Sequence, residues 1–133
     1  MEELPASALF SRDYATGFQS DTIDIPVSAQ GDKGYRLEYK VRMKKDAALV
    51  YEWTAPGVAD PEKFYSDLHG ETEAGPSTLA TYRQAVGTGA NGFFVAAFDG
   101  IHGWYLENKS PAAVVVRLKL SGFYELVRPN APK

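Results

Sequence analysis

Between residues 35 and 44 the chain alternates with a period of two. Tyr35, Leu37, Tyr39, Val41 and Met43 fall on one side, and Arg36, Glu38, Lys40, Arg42 and Lys44 on the other. That is the pattern of a β-strand with one buried and one solvated face. After a turn at Lys45-Asp46, Leu49, Tyr51 and Trp53 alternate with Val50, Glu52 and Thr54. The two runs together predict a β-hairpin. Upstream, Ile23, Ile25 and Val27 alternate with polar neighbours, and Pro26 removes a ladder donor, so an edge strand is expected there.

Further along, a loop rich in Pro and Gly (55–62) precedes a candidate strand, Phe64 to Glu71. A second loop follows, with Gly75-Pro76 as its breaker. Thr78 to Val86 has Tyr82 and Val86 four apart, a helical spacing, but its short length and flanking glycines favour a strand. Gly92 to Phe98 is apolar on both faces and reads as a central, doubly covered strand. Asp99-Gly100 carries the signal of a two-residue hairpin turn leading into a return strand, Ile101 to Glu107. Val114, Val116, Leu118 and Leu120 alternate with Val115, Arg117, Lys119 and Ser121. Gly122 then marks a bulge beyond which Phe123 to Val127 continues the strand.

These elements predict an all-β fold, an antiparallel β-sandwich of about eight short strands, with a partly closed barrel as the alternative. Residues 1–20 read as a lead-in or linker remnant, 21–127 as the β-sandwich domain and 128–133 as a flexible tail. A length of 133 residues, with 44% hydrophobic and 13% aromatic content, suffices for one domain with its own core. The 12 glycines and 8 prolines suit a fold made of turns.

Cysteine is absent, which removes disulfides, thiolate catalysis and thiolate metal ligation. The net charge of −3 argues against a nucleic-acid partner, which calls for a basic surface. No apolar run reaches the ~18 residues of a membrane span. Met1-Glu2-Glu3-Leu4-Pro5 lacks the basic and apolar regions of a signal peptide, so the chain itself is expected to be soluble.

Four groups of residues could carry chemistry. In a strand, Asp67, His69 and Glu71 share one face at spacings of roughly 6–7 Å, a set that could grip a divalent cation or orient an imidazole. The same trio also suits a solvated polar face. His102, Trp104 and Leu106 share a face of the next aromatic strand. His69 and His102 are the two histidines of the chain, each beside a glycine, and could hold one metal or ligand walled by Trp104. A hydrogen-bonded structural histidine under Trp104 is the simpler role. Trp53, Trp104, Tyr51, Tyr82 and Tyr105 could stack on sugar faces or fill the core. The charged face Arg36, Glu38, Lys40, Arg42 and Lys44 could meet an anionic surface or protect a sheet edge. Asn108-Lys109-Ser110 matches a glycosylation sequon but is followed directly by Pro111. No phosphate-binding glycine loop, nucleophile elbow or serine–base spacing occurs.

The segments Leu37-Glu38-Tyr39-Lys40, Tyr51-Glu52-Trp53, Asp67-Leu68-His69-Gly70-Glu71, Phe98 to Asn108 and Gly122-Phe123-Tyr124 resemble a family of bacterial membrane-anchored proteins of uncharacterised function. The resemblance spans roughly residues 35–126 and is most specific at Asp99-Gly100-Ile101-His102-Gly103-Trp104-Tyr105. The order of elements also resembles the GOLD (Golgi dynamics) β-sandwich of vesicle-trafficking proteins, although their cysteine pair, coiled coil and C-terminal membrane helix have no counterpart here. These resemblances imply a GOLD-like or jelly-roll-like sandwich, extracytoplasmic or periplasmic, placed behind an N-terminal membrane helix outside this sequence, and they transfer no catalytic residues.

The expectation from sequence is therefore a non-enzymatic interaction module with a protein partner at a membrane surface and no cofactor. The first alternative is a divalent-metal or small-ligand site built from Asp67, His69, Glu71, His102 and Trp104, with His69 and His102 as metal ligands. The second is a carbohydrate-binding module.

Overall fold

A computed structural model describes residues 1–74 and 77–127. The breaker at Gly75-Pro76 and the expected tail at 128–133 lie outside the described residues. The described residues form nine strands: β1 (Gln19–Val27), β2 (Arg36–Met43), β3 (Ala48–Thr54), β4 (Phe64–Glu71), β5 (Leu79–Val86), β6 (Gly89–Val95), β7 (Gly100–Asn108), β8 (Val114–Gly122) and β9 (Glu125–Leu126). They build two antiparallel sheets, one of four strands in the order β1-β8-β3-β6 and one of five in the order β5-β4-β7-β2-β9. The two pack as an all-β sandwich.

The core lies between the sheets because each strand turns its apolar alternates inward. Leu49, Tyr51 and Trp53 from β3 and Val116, Leu118 and Leu120 from β8 meet Val41 and Met43 from β2, Leu68 from β4 and Trp104 and Leu106 from β7. The rings interlock edge to face, with Tyr51 on Trp104 at 5.2 Å between centroids and Phe94 on Trp104 at 6.3 Å. Both indoles, Trp53 and Trp104, are core.

Strand positions follow the hydrophobic pattern closely, but three expected connections and the placement of one strand differ. The runs 35–44 and 49–54 do not form a hairpin: β2 belongs to the five-stranded sheet and β3 to the four-stranded one. Asp46, at φ 72°, turns the chain from one sheet to the other. Asp99-Gly100 is likewise a crossing between sheets, in which the Asp99 carboxylate accepts the Lys45 N–H at 2.7 Å. The apolar run 92–98 is not a central strand. β6 ends at Val95 and is an edge, with Phe93 and Val95 open to solvent. In the crossing to β7 that follows, Ala96 is buried, Ala97 exposed and Phe98 half-buried.

The segment after Gly122 also changes sheet, pairing as β9 with Val41 and Arg42 of β2. Gly122 has φ 156°, and a Cβ there would stand 2.4 Å from the Ala48 carbonyl oxygen, so glycine is required at this corner. Tyr124, fully buried, anchors the corner by donating to Asp21 at 2.7 Å. β1, carrying Pro26, is an edge strand as expected. The lead-in is tied to the sandwich, with the Tyr14 hydroxyl donating to the Asp46 carbonyl at 2.9 Å and its ring on Phe123 at 4.3 Å.

Candidate functional site

On the outer face of the five-stranded sheet, β4, β7 and β2 run side by side. The register sets His69 opposite Gly103 and Gly103 opposite Lys40. Because Gly103 has no side chain, the imidazole and the lysine approach each other across the middle strand with nothing between them. Glu38 and Glu71, two residues along their strands from Lys40 and His69, face outward beside them.

The result is a compact polar cluster. Lys40 Nζ pairs with Glu71 and lies 3.5 Å from Glu38 Oε2, and its side chain is only 8% exposed. His69 Nε2 lies 3.5 Å from Glu38 Oε1, while Nδ1 lies 3.2 Å from the Asp67 carbonyl and 3.3 Å from Asp67 Oδ1. The hydrogen bond from Lys40 holds the Glu71 carboxyl below its usual range, against the smaller opposing effect of burial. Gln84 on β5 donates to Asp67 Oδ2 at 3.1 Å. Tyr65 and Tyr105 stand beside the cluster, edge to face at 6.2 Å, with Tyr105 donating to Glu107.

One ligand atom each from Glu38, His69 and Glu71 lies within 4.8 Å of the other two, close enough for a common cation. The Lys40 ammonium stands among these same carboxylates. It serves as their internal cation, so a divalent ion would compete with it.

Of the residues singled out in the sequence, Asp67, His69 and Glu71 come together on this face. His102 and Trp104 do not join them: they lie on the opposite face of β7, inside the sandwich. His102 is fully buried and fully bonded. Its Nδ1 is 2.9 Å from the Tyr82 hydroxyl and its Nε2 3.0 Å from the Phe98 carbonyl. The Tyr82 hydroxyl accepts the Ala97 N–H at 3.0 Å. That leaves its proton for Nδ1, so Nε2 carries the ring hydrogen and donates to Phe98. Burial pushes the imidazole below its ordinary pKa.

Two local features position this ring. β5 has an extra residue, Tyr82, where Leu68 faces Arg83 and His69 faces Thr81, and this bulge lets the tyrosine reach inward. Gly70, opposite His102, leaves the ring its space, since a Cβ there would stand 2.0 Å from Nδ1. The bonded ring thus pins the 96–98 crossing to β5 and β7.

The sequon residue Asn108 is also structural. It is buried, donates to Ser28 and Ala112 carbonyls at 3.0 and 2.8 Å and accepts the Ser110 N–H at 2.9 Å. Glu38 and Lys40 are the cluster members that strand-by-strand reading leaves out. Their outward alternation was visible, but their nearness to β4 depends on β7 running between the two strands.

Comparison with known protein families and with curated proteins finds no match to this chain.

Proposed function

We propose that this domain is a non-enzymatic interaction module, displayed at a membrane surface in an extracytoplasmic compartment, that engages a protein partner through the outer face of its five-stranded sheet. The observation that carries this reading is the nine-tenths-buried Lys40, held between Glu38 and Glu71 on an otherwise open sheet face. Withdrawing charges from water costs free energy that their mutual attraction repays only in part, so such a network favours defined geometry more than stability. Its members sit on paired strands rather than loops, which suits recognition by a fixed charge pattern. Tyr65, Tyr105 and Arg36 beside it are residue types enriched in protein interfaces. The membrane setting rests on the family resemblance of residues 35–126 alone.

A photo-crosslinking side chain installed at Tyr105, or at Thr22 on the opposite sheet, tests the reading in cells that make the protein. A discrete protein adduct is expected from position 105, lost in the Glu38→Arg/Glu71→Arg variant and absent from position 22. Equal adducts from both faces, or hydrolysis of ester, phosphate or glycoside substrates that disappears with His69→Ala, would overturn it.

A second reading has its own observation. The donor atoms of Glu38, His69 and Glu71 converge, and this supports a divalent-cation site that opens when Lys40 moves aside. Carbohydrate stacking has less support, because both tryptophans are core and Tyr65 and Tyr105 meet edge-on rather than as a flat platform.

A further inference from the structure

Among the described residues, β6 is the bare edge of the sandwich. Strands at sheet edges offer unpaired backbone groups, and natural proteins blunt them with charge, proline, bulges or brevity. β1 carries Asp21, Asp24 and Pro26, β5 carries Arg83 and a bulge, and β9 is two residues long. β6, Gly89-Ala90-Asn91-Gly92-Phe93-Phe94-Val95, has neither a charged residue nor a proline, and it runs unbroken against β3. Its outer side is apolar where it matters: Phe93 is 69% exposed and faces Val50 of β3, itself 59% exposed.

The backbone phase of this edge is fixed. Thr88 and Ala96, flanking β6, bond inward to the 46–55 segment. By alternation, Gly89, Asn91, Phe93 and Val95 turn their N–H and C=O groups outward. The residues available for pairing are therefore the odd-numbered ones.

We propose that β6 pairs antiparallel with β6 of a second copy about a two-fold axis through Gly92, joining the two four-stranded sheets edge to edge. This register sets Asn91 opposite Phe93 and Gly89 opposite Val95, so every outward-bonding residue meets another. It also sets each large side chain against a small one: Phe93 on Asn91 and Val95 on Gly89 outside, Phe94 on Ala90 inside. A shift by one residue would pair outward-bonding with inward-bonding positions, and a shift by two would leave part of the strand uncovered. Beside the edge, a groove of about 590 Å³ is lined by Val50, Glu52, Asn91, Phe93, Lys119 and Ser121. Phe93 of the second copy, opposite Asn91, stands at its mouth. A two-fold pairing of this kind is closed and uses one patch on both copies.

Sedimentation equilibrium tests the proposal. The wild-type chain is expected to be dimeric with a concentration-dependent monomer fraction. Asn91→Lys/Phe93→Lys sets like charges opposite each other and should weaken the dimer about tenfold or more while the thermal unfolding of the domain stays cooperative. Asn91→Glu/Phe93→Lys places opposite charges at the same pairs and should restore much of the affinity. A wild-type chain that is monomeric throughout, a dimer unaffected by the double lysine variant, or a Glu/Lys variant no better than the Lys/Lys one would each overturn it. If the Lys/Lys variant unfolds, Phe93→Lys alone supplies the comparison, and an unchanged dimer there has the same meaning.

Discussion

The ammonium of Lys40 and the carboxylate of Glu71 form an ion pair two strands apart, across the glycine that separates β2 from β4. Lys40→Ala should act in two directions. It leaves Glu38 and Glu71 without their cation, which lowers stability, and it vacates the place a metal would take. Titration of zinc, followed by backbone amide NMR, should then give localised shifts at residues 38 and 69–71 at lower metal concentration in the variant than in the wild type. An affinity that does not improve would remove the cation-site reading and leave Lys40 as an element of the surface.

His102 should make the protein acid-sensitive. Its folded pKa lies below the ordinary value of 6.5, so its contribution to stability is complete above that value and is lost as pH falls through the folded pKa. Glu71, also lowered, adds a loss at more acidic pH, below its ordinary 4.5. Thermal melts between about pH 7.5 and 5.5 should therefore fall in the wild type, and fall less in His102→Gln, since the Glu71 contribution lies below that range.

Tyr82→Phe removes the donor to His102 Nδ1 and the acceptor for the Ala97 N–H together. Leaving Nδ1 of the buried His102 without its donor should cost about 1–3 kcal/mol in denaturant unfolding. If Tyr82 were instead part of a sugar platform, the variant would lose binding and keep its stability.

Gly70→Ala should destabilise by about 1–3 kcal/mol, because the new methyl overlaps the His102 ring, which is fully buried and held by hydrogen bonds at both nitrogens. The same substitution at Gly17, where a Cβ meets nothing within 4 Å, is the control and should be close to neutral.

Asn108→Ala removes the side-chain hydrogen bonds that close the turn between β7 and β8, and a loss of about 2–3 kcal/mol is expected. Retention of wild-type stability would mean that the turn is held by Ser110 alone.

Which residues face the core was legible from periodicity, because β3 and β8 each bury one clean alternate set. Which strands are neighbours was not. A turn such as Lys44 to Asp46 can fold a strand back beside its predecessor or send it to the other sheet, and the hydrophobic alternation is the same in both cases. The positive φ of Asp46 decides this, and aspartate tolerates both outcomes. The site divides along the same line. Asp67, His69 and Glu71 share a strand, so spacing placed them together. Glu38 and Lys40 join them only through the order β4-β7-β2, and His102 leaves them because adjacent positions on β7 point to opposite sides. Phe93 misled for a related reason, since a run apolar on both faces marks a buried strand or an uncovered edge equally well.

Among the described residues, only the pairing of β4 with β5 joins strands that are neighbours in sequence. β1 pairs along its whole length with β8, Gln19 against Gly122, so the first strand must wait for a partner about 100 residues downstream. Non-local pairing of this kind slows folding to the millisecond-to-second range or beyond. A ribosome delivers the chain in order, and the four-stranded sheet cannot be completed until its eighth strand has emerged. The first strand therefore stays without its sheet partner for most of the time the chain is being made.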